Sequence, residues 1–248
     1  MPIYRPQHFD EALAWLQQPN ARPMGGGTHI PDADDPDRVW VDVRGLGLDA
    51  IERDRGAWLR IGATVPLARL ARQDSLPAGL AALVRATAPP EIAARATVAG
   101  TLMAAHGATP LAAGLMALDA NTLWMTPEGE EVIPLGDVYA LRAWYTTGPR
   151  LMTAVRVPLA PRVAHRPRFS DADAPLALVV AARWPRGRTR LVLGLGEAPQ
   201  LVLDGPSPDG WEHALASRYQ ALQAAARGVS WEQVREWARQ VLREVWAE

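Results

Sequence analysis

Seven residues near the amino end, Met24-Gly25-Gly26-Gly27-Thr28-His29-Ile30, have the types and order to hold an anion. Consecutive glycines let the backbone reach conformations closed to other residues and come close to a ligand without a Cβ in the way. A run of amides in such a turn is a concavity lined with N–H donors, and Thr28 adds a hydroxyl donor at no cost in charge. An ordinary glycine-rich loop explains the same letters. Some seventy residues on, Arg95-Ala96-Thr97-Val98-Ala99-Gly100-Thr101-Leu102 is a second small-residue stretch with two hydroxyls.

Other chemistry is excluded by composition. The 248 residues contain no cysteine, which rules out disulfides, a thiol nucleophile, thiolate zinc and cysteine-ligated iron–sulfur clusters on this chain. All 26 basic residues are arginine, so neither a Schiff-base lysine nor a phosphate-loop lysine exists here. The five histidines, His8, His29, His106, His165 and His213, lack the i,i+4 spacing of a helical metal site, and no metal is expected. Glu52, Asp54, Glu128, Glu130 and Glu131 sit in turn-like contexts that suit solvated surface charge. With no catalytic acid or base to be found, an enzyme built on this chain needs a cofactor to supply its chemistry. A net charge of -1 and a pI near 6.5 leave no footprint for nucleic acid or an anionic membrane. The start lacks an export signal and the longest apolar run, Ala174 to Ala182, is too short to span a bilayer, so a soluble cytoplasmic protein is expected.

The elements that must position the two turns follow from periodicity. Phe9, Leu13 and Leu16 predict a helix over His8 to Gln17, ahead of the first turn. Beyond an acidic loop, Asp32 to Asp37, Val39 to Val43 suits a buried strand. Gly45-Leu46-Gly47-Leu48-Asp49-Ala50 spells a dinucleotide-fold motif, but Arg53-Asp54-Arg55-Gly56 is a turn into the strand Trp58 to Ala63, where that motif requires a helix. Helices are expected over Thr64 to Arg72, Pro77 to Thr87 and Thr109 to Leu118, and strands over Thr122 to Met125 and Leu151 to Val157. Pro158 to Pro175, rich in proline and charge, reads as a linker. A hairpin, Leu176 to Trp184 with Thr189 to Leu195, a third strand at Leu201 to Leu203, and helices over Trp211 to Arg227 and Ser230 to Ala247 complete the chain. Three lobes are expected: 1–55, 56–160 and 165–248.

In order and context, Gly25-Gly26-Gly27-Thr28, Trp58-Leu59-Arg60-Ile61-Gly62-Ala63-Thr64 and Ala96-Thr97-Val98-Ala99-Gly100-Thr101-Leu102 resemble the FAD-binding middle subunit of molybdenum hydroxylases, the xanthine and carbon monoxide dehydrogenase type. Tyr4-Arg5-Pro6, Val41-Asp42-Val43 and Ala154-Val155-Arg156-Val157-Pro158 fit the same pattern. The resemblance implies an α+β fold: a two-part FAD domain of the vanillyl-alcohol oxidase type, then a small domain of a three-stranded antiparallel sheet and helices, similar to that of the carbon monoxide dehydrogenase flavoprotein. It further implies FAD, with its pyrophosphate held by Gly25, Gly26, Gly27, Thr28, His29 and Ile30 on one side and Thr97, Val98, Ala99, Gly100 and Thr101 on the other. The implied partners are an iron–sulfur small subunit and a molybdenum large subunit.

Three positions depart from the pattern. Ala93-Ala94 stand where the family usually has Arg-Asn, Ala99-Gly100-Thr101 where it has Gly-Gly-Asn, and Thr109-Pro110 where it has Ser-Asp. Two lost polar contacts at roughly 0.5–1.5 kcal/mol each, or 1.5–3 if charge-assisted, weaken binding by about one to four decades. Three readings therefore stand: an FAD-carrying electron-transfer subunit, a flavin-free relative serving as scaffold or partner-binding subunit, and a stand-alone flavoenzyme of the same fold.

Overall fold

The apolar spacing near the start forms the helix it predicts. After the two-residue strand β1 (Ile3–Tyr4), α1 (Phe9–Leu16) buries Ala12, Leu13 and Leu16 on one face, and Trp15 stacks on Tyr4 with ring centroids 3.5 Å apart. The computed structural model describes residues 2–29, 37–169, 175–226 and 228–247, and the side chains at 168, 169, 175 and 176 lie outside the description. The acidic stretch Asp32 to Asp35, Pro36 and the expected site residue Ile30 fall outside the described residues.

β2 (Ala21–Met24) runs straight into the triple glycine. β3 (Val39–Asp42), buried throughout, pairs parallel with β1 and β2 in the order β1-β3-β2. A 3-10 turn, Val43–Leu46, then leads to the antiparallel pair β4 (Ile51–Asp54) and β5 (Trp58–Gly62). The Gly45-to-Ala50 motif thus opens no helix, and Gly47 serves as a left-handed cap at φ 69°. Short helices follow: α2 (Leu67–Leu70), α3 (Leu80–Arg85), α4 (Pro90–Ala93), α5 (Val98–Ala104) and α6 (Pro110–Ala117). The hairpin β6 (Asn121–Thr126) and β7 (Gly129–Pro134), helices α7 (Leu135–Ala140) and α8 (Arg142–Tyr145), and β8 (Leu151–Pro158) come next. The order of this sheet is β4-β5-β8-β6-β7.

The final stretch holds β9 (Arg162–Phe169), β10 (Pro175–Arg183), β11 (Thr189–Leu195), β12 (Ala198–Gly205), α9 (Trp211–Ala221) and α10 (Trp231–Trp246). Ser230 caps α10 as expected, accepting from Gln233 N–H while Gln233 reaches back to the Ser230 N–H, a reciprocal cap that typically stabilises by about 1 kcal/mol.

Two compact units result. The first comprises Met1–Arg72, Ala88–Ala104 and Ala120–Val157, and carries both glycine turns. Its parallel sheet packs on α1 through Ala12, Leu13, Leu16, Val39 and Val41. The second comprises Gln73–Thr87, Ala105–Asp119 and Pro158–Glu248, so α3 and α6 group with the carboxyl-terminal sheet. Its core joins Val179, Ala181, Leu191 and Leu193 of the sheet to Val234, Ala238 and Val241 of α10. Here Gly107 N–H donates to the Gly196 carbonyl at 2.9 Å, and a Cβ on Gly194 would sit 2.5 Å from the Gly107 oxygen. Gly194, inside β11, and Gly196, just after it, therefore serve backbone packing.

The α+β class stands, with corrections. The expected linker, Pro158 to Pro175, contains β9, which pairs antiparallel with β10 and makes the small sheet four-stranded, β12-β11-β10-β9. β9 is an edge strand, where prolines and charges are tolerated because one side needs no ladder partner. Arg166 lies 2.9 Å from Glu244 of α10, and Arg162 donates to the Ala247 carbonyl just beyond that helix at 3.0 Å. The single helix expected over Trp211 to Arg227 ends at Ala221, followed by a 3-10 turn at Gln223–Ala225. The helix expected over Thr64 to Arg72 shrinks to α2 because Thr64 N–H donates to Leu48 and Val65 N–H to Gly62, leaving Pro66 as N-cap. None of the helices among the described residues is long and apolar enough to cross a membrane.

Candidate functional site

Parallel strands gather loops at their carboxyl ends, and the first glycine turn leaves from one of them. Met24, the last residue of β2, is the register partner of Asp42. Open parallel sheets place ligands at this edge because the loops there diverge from a fixed frame. Gly25, Gly26, Gly27 and Thr28 are half-buried, His29 is exposed, and Gly27 takes φ 64°.

The second stretch closes against the first. An added Cβ on Gly26 would lie 1.7 Å from the Arg95 carbonyl oxygen, and one on Gly25 would lie 2.6 Å from Thr97 Oγ1. At Gly26 glycine is required by the approach of one backbone to the other, and at Gly25 the Thr97 side chain takes the space of a Cβ, before any ligand is considered. Arg95 adds a side-chain link, donating from Nη2 to the Gly26 carbonyl at 3.3 Å. Its guanidinium is exposed. Sequence reasoning placed Arg95 next to the second turn without assigning it a role.

The two turns differ in what they can offer an anion. Among the described residues, no protein acceptor receives the N–H of Gly25, Gly26, Gly27 or Thr28. In the second turn the donors are already engaged. Val98 N–H donates to Val65 O at 3.0 Å and Ala99 N–H to Ala63 O at 3.0 Å. Gly100 N–H donates to Thr97 Oγ1 at 3.3 Å and Thr101 N–H to Thr97 O at 2.8 Å. What this turn retains is hydroxyl chemistry. Thr97 is 4% exposed, its oxygen accepts from Gly100, and among the described residues its own O–H has no acceptor. Thr101 is half-buried. The expected cradle of two amide-lined turns is therefore one amide-lined turn with a hydroxyl-bearing wall against it.

The same sheet edge carries a charged triad. Asp42 is buried and accepts from Arg44 Nε at 2.9 Å and Nη2 at 2.7 Å, with Arg5 Nε 3.6 Å away. The Arg44 hydrogen bonds hold the Asp42 carboxyl below the usual carboxylate range, and Asp42 in turn raises Arg44. Asp42 also receives the Arg44 N–H at 3.2 Å, which fixes the start of the 3-10 turn.

Behind the second turn, the carboxyl end of α5 is tied down from α7 and α8. Tyr139 OH donates to Leu102 O at 3.3 Å, Arg142 donates to Met103 O, and burial pushes the Tyr139 phenol up. Thr109 and Pro110, where the family pattern carries Ser-Asp, lie in the second unit. Thr109 accepts from His106 N–H at 3.1 Å and Pro110 is buried at the first turn of α6, so neither supplies a carboxylate. Among the described residues no group of histidines and carboxylates could hold a metal ion.

The family model described as the FAD binding domain in molybdopterin dehydrogenase matches residues 1–160, a span that contains both turns. Among solved structures, the chain is similar to one from a reconstituted CO dehydrogenase of Oligotropha carboxidovorans, with 21% identity, TM-score 0.75, and 99% of this chain and 98% of that one covered. It is also similar to a chain of quinoline 2-oxidoreductase from Pseudomonas putida 86, with 18% identity, TM-score 0.74, and 99% and 96% covered. A third, from the CO dehydrogenase of Hydrogenophaga pseudoflava that lacks the Mo-pyranopterin moiety, gives 18% identity, TM-score 0.72, and 99% and 95% covered. These likenesses show the fold. No curated protein matches the sequence.

Proposed function

The chain belongs to the family of FAD-binding domains in molybdopterin dehydrogenases, and from that premise we propose that it is the FAD-carrying electron-transfer subunit of a molybdenum hydroxylase-type oxidoreductase. The observation that carries the reading is the turn Gly25–Thr28, whose four N–H groups have no acceptor among the described residues and which leaves the carboxyl edge of a parallel sheet. Those amides, with the Thr28, Thr97 and Thr101 hydroxyls, would hold the FAD pyrophosphate, with His29, Ile30, Val98, Ala99 and Gly100 completing the surroundings. Bound FAD would supply the ability to accept and release electrons in pairs, and this cysteine-free chain has no thiol–disulfide couple of its own. The protein's own part is to bind and orient. Gly26 packed on Arg95 fixes the spacing of the turns, and buried Thr97 presents its O–H at a fixed place.

The partners in this reading are an iron–sulfur small subunit that delivers electrons and a molybdenum large subunit where substrate is oxidised. A cytoplasmic location goes with it. Purification from the native host tests the assembly: the chain should emerge with a cluster-bearing and a molybdenum-bearing polypeptide, and the flavin should be reduced when substrate is added. Recovery alone, without flavin, would favour the flavin-free scaffold, which the engaged amides of the second turn and Pro110 also suit.

A further inference from the structure

We propose that Arg95 is the cation of the anion site, the group that makes it select a diphosphate, and that its bond to Gly26 holds it in waiting. The inference rests on the reading of Gly25–Thr28 as an anion cradle. Only one of the five guanidinium N–H donors is used by the Gly26 carbonyl. Among the described residues no carboxylate lies within ion-pair distance of Arg95, whereas the other arginines at this sheet edge, Arg5 and Arg44, share Asp42. The backbone beneath the side chain is fixed, because its carbonyl is the surface on which Gly26 packs. The chain has no lysine, so a cation for this turn has to be an arginine, whose planar fork suits two phosphate oxygens.

Amides and hydroxyls attract an anion through their dipoles but carry no net charge to balance a diphosphate. A guanidinium at the lip of the turn adds affinity that grows with ligand charge and falls with salt. The test is titration of wild type, Arg95→Gln and Arg95→Lys with ADP, adenosine and FAD at about 0.05 M and about 1 M salt. Arg95→Gln removes the charge and the guanidinium fork and leaves a shorter, neutral amide donor, so the salt dependence is what isolates the charge. This variant should weaken ADP by roughly five- to thirtyfold at low salt, with the gap narrowing to about threefold or less at 1 M, where the screening length is about 3 Å. Adenosine should bind the variants alike, and Arg95→Lys, which keeps the charge and loses the fork, should bind ADP less tightly than wild type and more tightly than Arg95→Gln at low salt. Unchanged ADP binding by Arg95→Gln at low salt, or a loss of equal size at both salt concentrations, would overturn the proposal and leave Arg95 a structural link. If ADP binds in an Arg95-dependent way while FAD does not, Arg95 and the cradle stand and the flavin reading falls. If wild type takes up neither, both fall.

Discussion

Replacing Gly26 with alanine should unfold the protein more easily even when no cofactor is present. A methyl there would sit 1.7 Å from the Arg95 carbonyl oxygen and 2.6 Å from its carbon, against a normal carbon–oxygen contact of about 3.3 Å. Both obstacles are backbone, so relief requires the two turns to part by about 1.5 Å, which also draws Thr97 away from Gly25. Overpacking of this kind costs about 1–3 kcal/mol, and the upper end applies where no side chain can rotate away. At about 2–4 °C per kcal/mol for a chain of this size, the thermal midpoint should fall by roughly 6–12 °C. Gly47→Asn is the control, since nothing lies within 4 Å of that position and asparagine tolerates its φ of 69°. Its midpoint should stay within about 2 °C of wild type. Loss of FAD binding in Gly26→Ala would not separate packing from ligand contact; melting without FAD does. A Gly26→Ala protein that melts with wild type would refute the turn-on-turn contact.

Thr97→Val should cost about 1–2 kcal/mol of stability, because it strips the Gly100 N–H of its acceptor, and should weaken FAD roughly tenfold; Thr97→Ser should retain most of both in denaturation and binding assays. Asp42, held low by Arg44, contributes stability that is complete above the unfolded carboxylate pKa of about 4 and is lost as pH falls through its lowered folded value. Urea midpoints of Asp42→Asn should therefore lie below wild type at pH 7 and converge with it in acid. Burial, then the Arg166 charge, lowers His165, so its neutral form favours the folded state above about pH 6.5 and that contribution is lost as pH falls through the folded value. His165→Gln should flatten the acid side of the stability profile between pH 7 and 5.

The sequence made the glycine turn legible because three glycines between the helix α1 and the buried strand β3 leave little else to build. The approach of Gly26 to Arg95 was hidden, since it depends on how two segments seventy residues apart pack. The engagement of the Val98 and Ala99 amides was hidden for the same reason: their acceptors, Val65 and Ala63, lie in a connection after β5 that reads as the end of a strand and the start of a helix. β9 does not read as a strand because among its described side chains only Val163 and Ala164 are buried, and its proline and arginines mimic a linker. Helix α6, by contrast, reads easily from its small and apolar residues, and it is buried on every side.

Titration of the purified chain with FAD, followed by flavin fluorescence and visible absorption, bears most directly on the central claim. One FAD per chain should bind, with the flavin spectrum perturbed and with competition by ADP, since the cradle grips the diphosphate. A colourless protein that takes up no FAD at about millimolar concentration, where binding is worth only ~4 kcal/mol, would contradict it.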